Sequence, residues 1–292
     1  MKKLSIIIVS YNNYEQLKEC IKSIYSNNDI GEFLEIIISD NSPNDYVINS
    51  VRNDFPDVKT IKNDNIGFGA GNNKGYEISE GEFLLFLNPD TILIEPVCQY
   101  AINKFDEDNS LAAFGINLVN KKLMKNDSYF LMDENRLIYL ILFKLLRKAD
   151  IYIDNIMYIS GADIFIRRNC FEEAGMFDEN IFMYYEEPDL IKRIKINCKT
   201  NRIAYFKEKK IIHLEGGTES KDMSVLVNKI SRNLQTYKYY CKKWNIDFYK
   251  NINRLKKYEK IKYIFYKAIH KVEKNKLCMK LIELYNHTLE NL

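Results

Sequence analysis

A chain of 292 residues, 46% hydrophobic and 28% charged, is long and apolar enough to bury a core, which excludes a disordered or fibrous protein. Its formal net charge of +3 excludes a uniformly basic molecule, yet 13 Lys and Arg stand against 3 acids between Lys242 and Lys280. That asymmetry predicts a neutral-to-acidic body with a basic tail that faces phosphate-rich or lipid surfaces, or a solvated lysine-rich helical face. Six scattered cysteines without a CxxC pair or metal-ligand spacing point to a reducing cytosol. The apolar run Ile6 to Val9 is too short for a signal peptide, and Leu137 to Leu146, interrupted by Lys144, falls short of the ~20 residues that span a bilayer.

Leu4 to Val9 reads as a buried strand that stops at Ser10-Tyr11-Asn12-Asn13, and Leu17, Cys20, Ile21, Ile24 and Tyr25 follow at helical spacing. Phe33 to Ser39 predicts a second strand ending at Asp40-Asn41-Ser42-Pro43. Residues 44–55 read as a helix and Val58 to Ile61 as a short strand. The glycine series Asn65-Ile-Gly67-Phe-Gly-Ala-Gly-Asn-Asn73-Lys-Gly75 leads to a helix, and Phe83 to Leu87 is a strand apolar on both faces. Pro89 cannot donate to a ladder, so this strand ends at Asn88 and leaves Asp90 just past its carboxyl end. Strand and helix alternate four times, which predicts a parallel sheet with crossover helices. Ligands of such sheets bind outside the carboxyl ends of the strands, here at Tyr11, Asp40 and Asp90. Asp90 equally suits a cap or a turn.

The glycine series is a near miss of the dinucleotide fingerprint and follows the wrong strand. It reads as a loop opening a helix whose free N–H groups face an anion or a sugar, with a flexible turn as the competing reading. No GxxxxGK[ST] phosphate cradle occurs. Val97 to Phe105 predicts a helix and Leu111 to Gly115 a strand. Residues 117–157 keep no α/β rhythm and read as an insertion whose apolar segment Ile138 to Leu146 suits an amphipathic helix or core packing. Tyr158 to Arg168 reads as one strand in which Ser160-Gly161-Ala162 lets a ligand approach the backbone. Asp163, a charge in an apolar run, is then either paired or near the site.

In Glu186-Glu187-Pro188-Asp189, Pro188 suits the first helical position, which puts Glu187 at or beside the N-cap. As a structural feature the acids complement the helix dipole. As a functional one, Glu187 is a general base on which the dipole and burial act in opposite directions. His213 ends an apolar strand ahead of Gly216-Gly217-Thr218, a position open to a structural role or to a metal or diphosphate contact. From Val225 on, apolar residues at helical spacing alternate with Lys. The expected organisation is thus a body over 1–222 and a basic helical region over 223–292.

Taken in order, Ser-Ile-Ile-Ile-Val-Ser-Tyr-Asn12, Ser39-Asp-Asn-Ser42, Asn65-x-Gly-Phe-Gly-x-Gly-Asn-Asn-x-Gly75, Leu87-Asn-Pro-Asp-Thr91, Ser160-Gly-Ala162, Gly175-x-Phe-Asp-Glu179, Glu186-Glu-x-Asp-Leu190 and His213-x-x-Gly-Gly resemble the family-2 glycosyltransferases with the GT-A fold, and within them the rhamnosyltransferase-like branch. The resemblance covers about residues 4–220. It implies a nucleotide-diphosphate sugar donor (dTDP- or UDP-linked, with rhamnose as one candidate sugar), a Mg or Mn ion, inversion, and an acceptor hydroxyl on a surface polysaccharide or lipid-linked oligosaccharide. Carried over, Asp40 bonds the base, with Ser10, Tyr11, Asn12, Asn41, Asn65 and Gly67 around it. Asn73 lies near ribose or sugar, and Asn88, Gly161, Ala162 and Asp163 line the remaining donor site. Asp90 and His213 hold the metal, and Glu187 deprotonates the acceptor. Asn88 stands where the family's metal motif begins with Asp, and Glu187 where it has Asp as base, so Glu186 and Asp189 remain alternative bases. Peripheral contact with the inner face of a membrane and a homodimer are the further partner expectations. A nucleotide-sugar-binding protein without catalysis and a nucleotidyltransferase are the competing functions.

Overall fold

The computed structural model describes residues 2–132, 143, 145–214 and 223–290. The first apolar runs fold as β1 (Leu4–Ser10), β2 (Leu34–Asp40), β3 (Lys59–Lys62) and β4 (Phe83–Leu87), connected through α1 (Tyr14–Ser26), α2 (Tyr46–Asp54) and α3 (Phe68–Glu77). Every residue of β1, β2 and β4 is buried, as strands covered on both faces require. The chain continues through β5 (Thr91–Leu93), α4 (Cys98–Glu107), β6 (Leu111–Val119), β7 (Tyr129–Leu131), β8 (Met157–Ile159), β9 (Asp163–Arg167), α5 (Arg168–Glu173), α6 (Glu186–Asn197) and β10 (Arg202–His213).

Eight strands form one sheet in the order β3-β2-β1-β4-β9-β6-β10-β5, and β7 pairs with β8 separately. β9 runs antiparallel to both β4 and β6, β5 antiparallel to β10 and β7 antiparallel to β8; the other pairings of the large sheet are parallel. On one face Leu4, Ile6 and Ile8 pack with Leu17 and Ile21 of α1, Val51 of α2 and Phe105 of α4. On the other, Ile7, Ile37 and Phe86 pack with Phe171 of α5 and Leu190, Ile191 and Ile194 of α6. Alternate strand residues thus serve opposite cores, which follows from the two-residue period of a strand.

The chain divides into two compact units, the second built by α7 (Met223–Lys243), α8 (Phe248–Ala268) and α9 (Val272–Glu290). Within it Ile252 of α8 and Cys278, Leu281 and Tyr285 of α9 are buried. Among the described residues no helix is long and apolar enough to cross a membrane.

Four local readings change. Gly69, Gly71 and Gly75 lie inside α3 rather than in a loop before it. A Cβ at Gly75 would stand 2.5 Å from Ile7 Cγ2, so the glycines bring α3 down onto β1 instead of facing an anion. Tyr158 to Arg168 is two strands, because the chain leaves β8 at Ser160 and joins another sheet as β9. Pro188 is the third residue of α6, where its missing N–H is again one that no intrahelical bond would use. β10 extends back to Arg202, well before the Ile211–His213 end that reads as strand in the sequence. The apolar segment expected at 138–146 and the Gly-Gly-Thr after His213 lie largely or wholly outside the described residues, although Phe143 is buried with Tyr129, Leu131 and Met157.

Candidate active site

The carboxyl ends of β1 and β2 come together in register, Ser10 opposite Asp40. Asp40 is fully buried, and its Oδ1 accepts from Ser10 Oγ at 2.8 Å and Ser42 Oγ at 2.6 Å. Its Oδ2 accepts no hydrogen bond, with Lys62 Nζ 3.9 Å away. Ser42 Oγ also accepts from the Asn12 amide at 2.9 Å, which fixes the turn after β1, where Asn12 has a left-handed φ of 52°. Tyr11 stands half exposed at this rim, and Asn65 is exposed. Asn41 has a different task. Its Nδ2 donates to Gly67 O at 2.9 Å and its Oδ1 accepts from Asn63, so it ties β2 to the entrance of α3.

Asn73 is likewise engaged with protein. It donates to Phe177 O (2.9 Å) and Glu179 Oε1 (3.1 Å) and accepts from Phe177 N, anchoring the Gly175–Glu179 turn to α3. These bonds occupy its amide and hold it away from the role of a free sugar contact.

Beyond β4 the Asn88-Pro-Asp-Thr91 turn is closed by Thr91 Oγ1 donating to Asn88 O at 2.7 Å. β5 then pairs antiparallel with the end of β10, setting Thr91 opposite His213. His213 Nε2 consequently lies 3.4 Å from Asp90 Oδ1 and 3.5 Å from Asn88 Nδ2. A carboxylate oxygen and an imidazole nitrogen this close fit a shared divalent cation. Among the described residues no cluster of three or more His, Cys, Asp or Glu could hold one. The donor set therefore suits an ion that takes its other ligands from a diphosphate and water, as Mg sites commonly do.

The same turn leads to the acid cluster. Asn88 N donates to Ala162 O at 3.0 Å, and next to Ala162 the Gly161 backbone lies against Glu187. A Cβ on Gly161 would fall 2.1 Å from Glu187 Oε1. Burial pushes the Glu187 carboxyl up to about 6, against the pull of the Glu187 and Gly161 amides toward lower values. Glu186 points into the protein. It is 3% exposed, its Oε2 accepts no hydrogen bond, and burial and then the Glu187 charge hold its carboxyl well above the usual range. Asp189 is fully buried and its Oδ2 accepts from Arg193 Nε at 2.8 Å, while Arg193 also donates to Ala174 O and Met176 O. That pairing makes it a brace for the Gly175 turn and removes it from the candidates for base. Asp163 is fully buried too; its Oδ2 accepts from Ile116 N at 2.7 Å, and burial raises its carboxyl well above the normal range.

The sequence reading missed several residues. Tyr184 and Tyr185, at φ 67° and 72°, enter α6 in the left-handed region, a conformation costing about 1–3 kcal/mol each for non-glycine residues. Phe182 O accepts from Phe68 N at 2.9 Å, and a Cβ on Gly67 (φ 96°) would strike that carbonyl at 2.3 Å. This contact closes the path from the Asp40 cluster through Asn41 and Gly67 to the Glu187 loop. Ser42, Asn63 and Lys62 could have been sought as turn and cross-strand neighbours of Asp40; nothing in the tyrosines' local sequence announces their backbone.

A family model described as glycosyl transferase family 2 matches residues 5–175. The chain belongs to this family. Family relatives include a GalNAc(5)-diNAcBac-PP-undecaprenol beta-1,3-glucosyltransferase of Campylobacter jejuni, 33% identical over 42% of this chain and 40% of that one. Rhamnosyltransferase WbbL of Escherichia coli is 24% identical over 65% of this chain and 76% of its own length. The chain thus spans less than half of the first of these relatives. Among solved structures, a mannosyltransferase from Pyrobaculum calidifontis in complex with GDP-Man and Mn2+ matches with TM-score 0.57 and 15% identity, over 82% of this chain and 64% of that one. TarS 1-349 of S. aureus in complex with UDP matches with TM-score 0.52 and 16% identity, over 99% and 90%. At such identities the likeness concerns the fold, and the fold is the expected GT-A type, a mostly parallel sheet with flanking helices and further helices after it.

Proposed function

We propose that the protein is an inverting, metal-dependent glycosyltransferase that moves a sugar from a nucleotide-diphosphate donor to a hydroxyl of a glycan or lipid-linked oligosaccharide. The observation that carries this is Glu187, partly buried, raised to about 6 and seated on Gly161, one short chain of contacts from the Asp90–His213 pair. A group with that pKa is mostly ionised near neutral pH yet basic enough to take a proton. The family membership and the names of the relatives support the reaction class.

In the proposed reaction Glu187 takes the acceptor O–H proton as that oxygen bonds to the anomeric carbon. The bond from that carbon to the diphosphate oxygen breaks in line, and the nucleoside diphosphate leaves with the electron pair. Asp90 and His213 would hold a divalent cation, which when bound neutralises charge on the diphosphate. Asp40 would accept an N–H from the base edge, held in orientation by Ser10 and Ser42. Asn88 keeps the His213 ring facing Asp90.

Replacing Glu187 with Gln tests this. Sugar transfer should fall by roughly 100- to 10,000-fold while nucleotide-sugar binding persists. Undiminished transfer by that variant would reject the assignment. A thermal-shift series with UDP-, dTDP- and GDP-sugars, each with and without Mn, identifies the donor base.

A further inference from the structure

α8 is apolar on two sides. Its inward side holds Ile252, buried within the helical unit. On the other side Ile261, Ile264 and Phe265 follow the three-and-four spacing of a single helical face, which Ile269 and Val272 carry through the turn into α9. These five side chains are between 44% and 67% exposed. Single exposed apolar residues are ordinary, but a contiguous set marks an interaction surface.

The exposed charges around the patch are predominantly positive. Lys257, Lys260, Lys267, Lys271 and Lys274 are all exposed, and no acid occurs from Lys260 to Val272. The two nearest acids are accounted for: Glu259 is buried and bonded by Lys262, and Glu273 pairs with Lys276 at 3.3 Å. A second copy of this chain meeting the patch symmetrically would set lysines against lysines. Nucleic acid would satisfy the lysines and could stack on Phe265 but would leave Ile261, Ile264, Ile269 and Val272 in water. A mostly aliphatic apolar centre with a cationic rim matches an anionic bilayer, where the apolar cap enters the acyl boundary and the lysines reach headgroup phosphates.

We propose that the α8–α9 corner docks this protein on anionic lipid, through the apolar cap and its lysine collar. The docking is independent of the donor chemistry, because none of its residues belongs to the candidate active site.

The test is co-sedimentation of the full chain with phosphatidylcholine vesicles, with and without phosphatidylglycerol. The wild type should pellet with the anionic vesicles, and added salt should release it. Ile264→Ser combined with Phe265→Ser should lower partitioning by roughly a hundredfold, from the loss of two partly buried apolar side chains. Lys267→Gln with Lys271→Gln should lower it by roughly thirtyfold, at ~1 kcal/mol per lysine. Unchanged melting temperatures and unchanged donor hydrolysis would show that both variants remain folded. The proposal is overturned if the wild type stays in the supernatant, pellets equally with neutral vesicles, or pellets no better than the variants. It is also overturned if the serine variant changes the sedimentation coefficient without lipid, which would assign the patch to a second copy.

Discussion

Glu186 and Glu187 are adjacent acids with opposite surroundings. Glu186 is enclosed and its carboxyl is pushed well above the ordinary range by burial, so Glu186→Gln is expected to keep transfer and stability close to wild type; a collapse of activity in that variant would move the base to Glu186. Glu187 carries a pKa of about 6 against an ordinary 4.5, so its ionisation opposes folding. Below the ordinary value both states are protonated and nothing is lost. As pH rises from about 4.5 to about 6 the unfolded chain ionises first and stability falls. Above that the penalty is constant. Glu187→Gln should therefore melt higher than wild type at neutral pH and equally in acid, while the wild-type rate rises through a limb near 6. A rate already flat there would contradict the assignment. Gly161→Ala places a methyl on the Glu187 carboxylate and should cost roughly a hundredfold in kcat through displacement of about an ångström. Asp40, Asp90, His213 and Glu187 could be read as candidates because each acid or imidazole follows an apolar run or opens a helix. The tasks of Asn41, Asn73 and Asp189 could not, since their partners Gly67, Phe177 and Arg193 are set by tertiary packing rather than by local pattern.

α3 and α6 hold the loops of the site from below. The sequence shows α3 as a glycine series, and glycine suggests a turn where here it permits contact: the missing side chains let the helix rest on Ile7 and Val9. Gly75→Ala should overpack that contact and destabilise the fold by about 1–3 kcal/mol in urea unfolding, with donor affinity retained. A neutral result would mean Ile7 can yield. α6 is braced by the Asp189–Arg193 pair, whose guanidinium also bonds two carbonyls of the preceding turn. Asp189→Asn should cost about 1–3 kcal/mol by leaving the partly buried Arg193 without its counter-charge. Its residual activity should keep the wild-type pH limb, which distinguishes a brace from a base. β1, β2 and β4 were legible because burial on both faces writes continuous apolar runs, and the helices between them because their apolar residues recur at helical spacing. β10 was not, because Lys207 to Lys210 place charges along an exposed stretch of it.

Across the whole molecule charge is unevenly divided: net negative outside the Lys242–Lys280 stretch and strongly positive within it. A saturating donor with Mn should stabilise the protein by about 2.7 kcal/mol at a hundred times Kd, and Asp90→Asn with His213→Ala should erase the Mn-dependent part of that shift. A shift unaffected by the double substitution would place the ion elsewhere. The alternation that predicts an α/β sheet is local and could be read; the insertion of β9 between β4 and β6 depends on pairings remote in sequence and could not. That reversed strand has a consequence for how the protein can diversify. β6 finishes at the edge where β4 ends, and β9 begins there, so the chain departs from and returns to one rim. The described polypeptide between these two visits, β7, β8 and the Gly161-Ala162 approach to Glu187, is thereby brought to the rim where β4 ends, so a change of fold topology there would carry the candidate base away with it.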